Sequence, residues 1–355
     1  MIKKVILDKA DRLYHFPFDL EDYYPKRIIT SVERRIPIID LGHFNWPIRK
    51  IAIESAENPL KAADQDELFR LKSALSEWLK TEYSLDIDPR KEIYIGEGIR
   101  RIIFDLCMAF VEYGDVVLCP EPGLPFYRRH TIAAGGIPVL YPISERTGFK
   151  PSLKRLPENL GRTAKLLFLN NPHNPLGTVL DETDLGELIR NASKINLFLI
   201  HDSAYCSLTE EKHISPLSLP AGRKVALEIF SIPFTFGLPH LPFGFAIGSS
   251  EIIGGLETAS KTTGSFIPSF WVNCALKAIQ SYPSAELRDI RKNIGHSRQT
   301  AKEMVENFGW KIAGSNSSPF LWLKIPERRH SAIFANTLLR RKGILTLPGD
   351  IFACH

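Results

Sequence analysis

Three short segments, each set directly after an apolar run, hold the residue types best suited to chemistry in this chain. The first is Asn170-Asn171-Pro172-His173-Asn174-Pro175-Leu176-Gly177, where two prolines and a glycine stiffen a turn that presents the Asn174 side chain. The second is Asp202-Ser203-Ala204-Tyr205. A carboxylate at the end of a buried run is costly unless it faces a cation or several donors, and Tyr205 adds a hydroxyl nearby. The third runs from Ser231 through Phe234, His240 and Pro242 to Gly248. His173, His201 and His240 are the side chains able to act as general bases near neutral pH. Each feature alone also suits a plain role: a turn-stabilising asparagine, a turn-capping aspartate, and packing or loop histidines.

These segments matter because ligands of open α/β sheets bind beyond the carboxyl ends of the strands. The apolar patterning predicts strands at Ile93-Tyr94-Ile95, Val116-Val117-Leu118 (closed by Pro120 and Pro122), Ile137 to Tyr141, Lys165 to Leu169 and Leu197 to His201. Val225 to Ser231 and Phe243 to Ile247 complete the series. Helical patterns cover Ile99 to Val111, Pro125 to Ala134 and about Asp181 to Lys194. Strands alternating with helices imply a largely parallel sheet covered on both faces. From 267 to 307 the pattern is helical, followed by strand-like runs at Pro319 to Ile325 and Gly343 to Leu347, which reads as a smaller α+β domain.

Bulk properties narrow the function. A chain of 355 residues with 44% hydrophobic and 24% charged residues supports a sizeable core divided between a large and a small domain. The net charge of +5 is dispersed, and Arg34-Arg35 and Arg340-Arg341-Lys342 read as solvated faces, which excludes a nucleic-acid groove. Five cysteines without a CxxC pair fit reduced thiols in a cytoplasm and exclude a cysteine metal site. The polar turn at Asp8 leaves no apolar stretch for a signal peptide, so none is expected, and no apolar run reaches membrane-spanning length.

Taken together, the order and spacing of the three segments resemble the class I and II aminotransferases, and within them the LL-diaminopimelate aminotransferase group. The likeness also includes Ala10-Asp11-Arg12-Leu13, Ile39-Asp40-Leu41-Gly42, Ala109-Phe110-Val111 with Gly114-Asp115, Glu121-Pro122-Gly123 and Thr346-Leu347-Pro348-Gly349. The resemblance implies an α/β fold of the pyridoxal-phosphate transferase fold-type I. Its large domain has three αβα layers around a mostly parallel sheet, with a smaller α+β domain beside it. The expected division is 1–45 for an arm and part of the small domain, 46–266 for the large domain, and 267–355 for the small domain. Against the family, the chain stops at His355, short of the last strand, the final helix and the arginine that binds the substrate carboxylate.

The same resemblance assigns cofactor contacts. Asn174 and Tyr205 fall where the family touches the phenolic oxygen, Asp202 on the pyridinium aspartate, and Ser231 on a phosphate-holding serine. Gly98, Ile99 and Arg100 fall on the phosphate-binding helix start. There the backbone N–H groups survive, Ile99 replaces a hydroxyl, and Arg100 is either a compensating charge or a solvated surface residue. Other positions depart. Phe234 stands at the Schiff-base lysine, Pro242 at the phosphate-clamping arginine, and Leu124 at the stacking aromatic. No tyrosine stands near Ala62-Ala63-Asp64 to reach a partner subunit. Phe234 can neither form an imine nor move a proton.

Several losses at one site point to an aminotransferase homologue that is catalytically degenerate, by ancestry acting on amino and keto acids. Ordinary Schiff-base transamination is not expected. Two alternatives stand beside that reading. One is a lysine-independent enzyme that holds pyridoxal or pyridoxamine phosphate non-covalently and uses His240 or His201 as base. The other is the inactive subunit of a heterodimer with an active paralogue, where the simpler assembly is a homodimer. Lys224 and Lys261 are the candidate substitutes for the lysine, with Lys224 expected at the far end of the sheet. A ligand sensor of the kind fused to winged-helix regulators ranks last. The expected partners are an amino-acid-like small molecule and a second subunit, with no nucleic acid and no membrane, in the cytoplasm.

Overall fold

A computed structural model of the chain describes residues 10–16, 37–42, 61–238, 241–314, 318–325 and 330–353. After β1 (Ile39–Asp40) the chain enters α1 (Gln65–Tyr83). Its start is fixed by a capping box in which Asp64 and Glu67 exchange backbone hydrogen bonds, and its end by Ser84 in the left-handed region. Leu71, Leu75, Trp78 and Leu79 follow helical spacing and are buried together. Burying each such side chain contributes roughly 1.5–3 kcal/mol.

Strands and helices then alternate: β2 (Ile93–Gly96), α2 (Ile99–Phe110), β3 (Val116–Glu121), α3 (Pro125–Ala133), β4 (Ile137–Pro142), β5 (Ala164–Asn170), α4 (Glu182–Lys194) and β6 (Phe198–Asp202). Next come β7 (Ala226–Ser231), α5 (Ile232–Phe236), β8 (Gly244–Ile247), α6 (Ser250–Thr263), α7 (Ser269–Gln280) and α8 (Ala285–Asn307). The seven-stranded sheet has the order β2-β8-β7-β6-β5-β3-β4. It is parallel except for β8, which runs antiparallel to both β2 and β7. The reversal follows from the connection: the segment between β7 and β8 is too short for a crossover, and among its described residues holds only α5.

Side chains alternate between two cores, one on each face of the sheet. Leu167, Leu169, Leu199 and Phe230 face α1, α4 and α7. Leu166, Phe168, Ile200 and Ile229 face α2, α3 and α6. This gives the expected three layers, with helices on both faces of a mostly parallel sheet. The prolines did not close β3 as predicted. β3 pairs with β5 only as far as Leu118, so Pro120 lies where only the β4 side remains to be bonded, and the strand runs on to Glu121.

The remaining elements form a smaller α+β part: α8, an antiparallel pair of β9 (Lys311–Ala313) and β10 (Trp322–Lys324), α9 (Ser331–Lys342) and β11 (Ile344–Leu345). β11 pairs in parallel with β1, so segments near both termini meet in it. Most of the predicted 1–45 arm and its boundary at 45–46 lie outside the described residues.

Candidate functional site

Beyond the carboxyl ends of β5, β6 and β7, three consecutive loops share one pattern. Across 166–178, 199–208 and 226–238, every residue is buried except Asn174, Tyr205 and Phe234, one from each run. These three touch. The Asn174 Nδ2 donates to the Tyr205 hydroxyl at 3.1 Å, and the Tyr205 and Phe234 rings lie 5.4 Å apart at 33°. They form a shared floor beyond these strand ends, where α/β sheets bind ligands. From the smaller part, Phe320 meets Tyr205 edge-on at 4.9 Å.

Local sequence explains how each is held. Asn170 anchors the first loop: its Oδ1 accepts from the Asn174 N–H at 2.7 Å and its Nδ2 donates to the Asp202 carbonyl at 3.0 Å. Phe234 lies in α5, which Ser231 caps by accepting the Phe234 N–H at 3.4 Å. Its ring packs against the cluster of Leu208 and Ile290. Burial pushes the Tyr205 hydroxyl up to about 12, against the Asn174 hydrogen bond and the nearby charge of Arg100.

Asp202 ends β6 on the α2–α3 face and is 1% exposed. Its carboxylate accepts the Tyr127 hydroxyl at 2.6 Å and the Ala204 N–H at 3.0 Å. Burial outweighs these two donors and moves its carboxyl up to about 6. A buried carboxylate with only two donors is well suited to accept a cation or a third donor. Tyr127 was not singled out by sequence reasoning. It lies 75 positions from Asp202, and nothing in a helical tyrosine announces such a partner.

At the start of α2, Gly98 has φ +88° and acts as N-cap. A Cβ placed there would meet the Pro242 backbone at 3.3 Å, so the loop before β8 closes onto this corner. Ile99 and Arg100 open the helix half-buried, and the Arg100 guanidinium sits 5.4 Å from the centre of the Phe126 ring. His240 lies outside the described residues. Lys224 is exposed ahead of β7, at the opposite end of that strand from Ser231, and Lys261 is exposed on α6. Neither joins the floor.

His201 needs a correction. It precedes Asp202 in β6 and therefore points to the other face of the sheet, fully buried. There its Nδ1 lies 3.0 Å from Glu228 Oε1, which also takes the His213 Nε2 at 2.7 Å and the Ser203 hydroxyl at 2.7 Å. Ser215 donates to Oε2. The His201, His213 and Glu228 ligand atoms lie within 4.8 Å of one another, a donor set that metals use. The second layer argues for protons instead. The Leu180 N–H fixes the Asn171 amide through its oxygen, which turns Nδ2 toward His201 Nε2 at 3.4 Å. That nitrogen then accepts, and the proton sits on Nδ1, facing Glu228. Burial opposes ionisation of Glu228, yet the two histidines hold its carboxyl below the usual range, and burial lowers His201. His173 is buried beside Asn174 and lowered to about 3 by burial, which makes it a poor base.

Comparisons with known proteins give the family and the fold. The pattern described as "Aminotransferase class I and II" matches residues 49–355. An LL-diaminopimelate aminotransferase of Aquifex aeolicus is 29% identical, covering 97% of this chain and 91% of its own. One from Moorella thermoacetica is 28% identical over 97% and 90%. Among solved structures, a probable N-succinyldiaminopimelate aminotransferase from Thermus thermophilus superposes with a TM-score of 0.83 at 25% identity, covering 93% of this chain and 90% of its own. Substrate-bound BacF from Bacillus subtilis gives 0.83 at 23% over 98% and 91%, a likeness of fold alone.

Proposed function

From the premise that this chain belongs to the class I and II aminotransferases, we propose that it is a member which has left Schiff-base transamination and holds a small ligand without a covalent bond. One observation carries the reading. Phe234 occupies this floor with its ring beside Tyr205, and none of the three runs that build the floor contains a lysine. A phenyl ring supplies neither a nucleophile nor a proton.

The residues divide in their fit to pyridoxal phosphate, the cofactor the family implies. Asp202 offers a buried carboxylate with acceptor capacity to spare, and Tyr205 with Asn174 offers a hydroxyl–amide edge. These suit the ring. The attachment point and the phosphate corner do not, because Phe234 carries no amine and Ile99 no hydroxyl. When bound, such a ring would supply electron withdrawal, while these residues would hold and orient it.

A histidine-based enzyme draws no support from His201, which faces away from Asp202. The test is direct. Pyridoxal phosphate is added to the purified protein, the absorbance is scanned, and the sample is treated with borohydride and weighed by mass spectrometry. No covalent adduct is expected. A stable adduct mapped to a lysine would overturn the proposal.

A further inference from the structure

We propose that the Phe234 ring is an apolar joint that docks α8, and with it the smaller part of the chain, onto the ends of β6 and β7. This goes beyond the reading above, because it concerns packing and needs no ligand.

α8 has few anchors. Of its 23 residues, Leu287 and Ile290 alone are buried, so its position depends on a short stretch. Leu208 and Ile290 form the buried centre of a small cluster, and Tyr205, Phe234 and Ile294 pack against it. The cluster is separate from the two large cores on the sheet faces. Three elements meet in it. The turn after β6 supplies Tyr205 and Leu208, α5 supplies Phe234, and α8 supplies Ile290 and Ile294, four residues apart on one helical face. Beside this contact, the Arg291 Nη2 donates to the Thr235 carbonyl at 3.4 Å. Neighbours 234 and 235 therefore meet neighbours 290 and 291, one pair apolar and one polar. Further along α8, a Cβ added at Gly295 would fall 2.8 Å from Glu210 Oε1, so the helix lies close against the turn.

The polar contacts here are the weaker half. A distance of 3.4 Å is long for an N–H···O bond. Arg298 Nη2 reaches Glu210 Oε1 only at 4.0 Å, and the Glu210 side chain is 79% exposed, so that pair adds little. Apolar burial carries the docking. Phe234 is well placed to supply it. Its backbone is set by the Ser231 cap at one end of α5 and by Gly237, at φ +73°, at the other. Its ring is held 5.4 Å from that of Tyr205. A lysine at 234 would carry its ammonium out of the cluster toward water and leave less apolar contact behind. Position 234 thus acts in packing, where its side chain offers no chemistry.

Hydrogen–deuterium exchange of the full chain, followed peptide by peptide, tests this. In Phe234→Ala, peptides spanning 287–298 should exchange faster by about tenfold or more, while those of α4 keep wild-type rates. Ile290→Ala, made from the other side of the joint, should speed the same peptides. Combining the two should add little, because the contact is already lost. Phe234→Leu should keep most of the protection, and Phe234→Lys should lose it. Unchanged exchange over 287–298 in Phe234→Ala overturns the inference, as does equal acceleration in α4 or wild-type protection in Phe234→Lys. Should Phe234→Ala fail to fold, Phe234→Val is measured in its place: acceleration confined to 287–298 supports the joint, and unchanged or uniform exchange overturns it.

Discussion

Two carboxylates buried in adjacent strands, Asp202 of β6 and Glu228 of β7, live under opposite electrostatic conditions. Glu228 lies opposite His201 in the ladder, and Asp202 is the next residue along, so one step of the pleat sends the two carboxylates to opposite faces. Glu228 collects four donors from His201, His213, Ser203 and Ser215. Asp202 collects two, from Tyr127 and Ala204. Burial is complete for one and nearly so for the other, yet the carboxyl of Glu228 is lowered and that of Asp202 raised to about 6. The two histidines beside Glu228 decide the sign, and among the described residues Asp202 has no cationic partner of that kind to offset its burial. A saturated carboxylate ties two strands together, whereas an undersupplied one is a place where a ligand can add something.

The comparison breaks most sharply at Glu228. Glu228→Gln leaves histidine and serine donors facing an amide, and should cost about 3–5 kcal/mol in chemical denaturation near neutral pH. A loss below about 1 kcal/mol would mean that the donors find water instead.

The pH dependence has opposite signs for the two groups. A raised Asp202 contributes stability that is full below its unfolded value of 3.8 and is lost as pH rises through about 6. Glu228 and His201, both lowered, contribute stability that is lost as pH falls below their usual values. Comparing wild type with Asp202→Asn isolates the first effect. Relative to the variant, wild type should lose about 2 kcal/mol between roughly pH 4 and 7. A flat difference would show that Asp202 does not titrate in this range.

Tyr127→Phe removes one of the two Asp202 donors within a packed core, and should cost about 1–2 kcal/mol at neutral pH. Asp202→Asn itself should change neutral-pH stability by less than about 1 kcal/mol, because lost hydrogen bonding is offset by relief from burying charge. If it proved as damaging as Glu228→Gln, the two carboxylates would be structural equals and the contrast would fail.

The sequence made the site face more legible than its reverse. β5, β6 and β7 are apolar runs, and the segment just beyond each is visible in the residue order through Asn174, Tyr205 and Phe234, with Asp202 closing β6. His201 was misplaced because proximity in the chain was taken for proximity in space. The pleat alternates, and a neighbour of Asp202 must face away from it. Glu228 had left a signal, a glutamate within the apolar run from Val225 to Ser231, but its partner His213 sits in a loop whose path no local pattern encodes. Tyr127 was out of reach for the same reason. The reversal of β8 was open to inference from the short span after β7, which cannot hold a crossover.

The joint between β2 and β8 has a consequence for mutational tolerance. Gly96 and Gly244 face each other in the ladder, and Gly98 lies against Pro242 one step further on. An added Cβ would fall 2.6 Å from Ile102 at Gly96, 3.0 Å from the Phe230 carbonyl at Gly244, and 3.3 Å from Pro242 at Gly98. A saturation scan should therefore find these three positions as unforgiving as a catalytic residue, though none bears a reactive group. The same closeness limits redesign. An arginine at position 242 would start from a backbone already pressed against the helix start, so restoring a phosphate clamp requires rerouting the loop as well as changing the side chain.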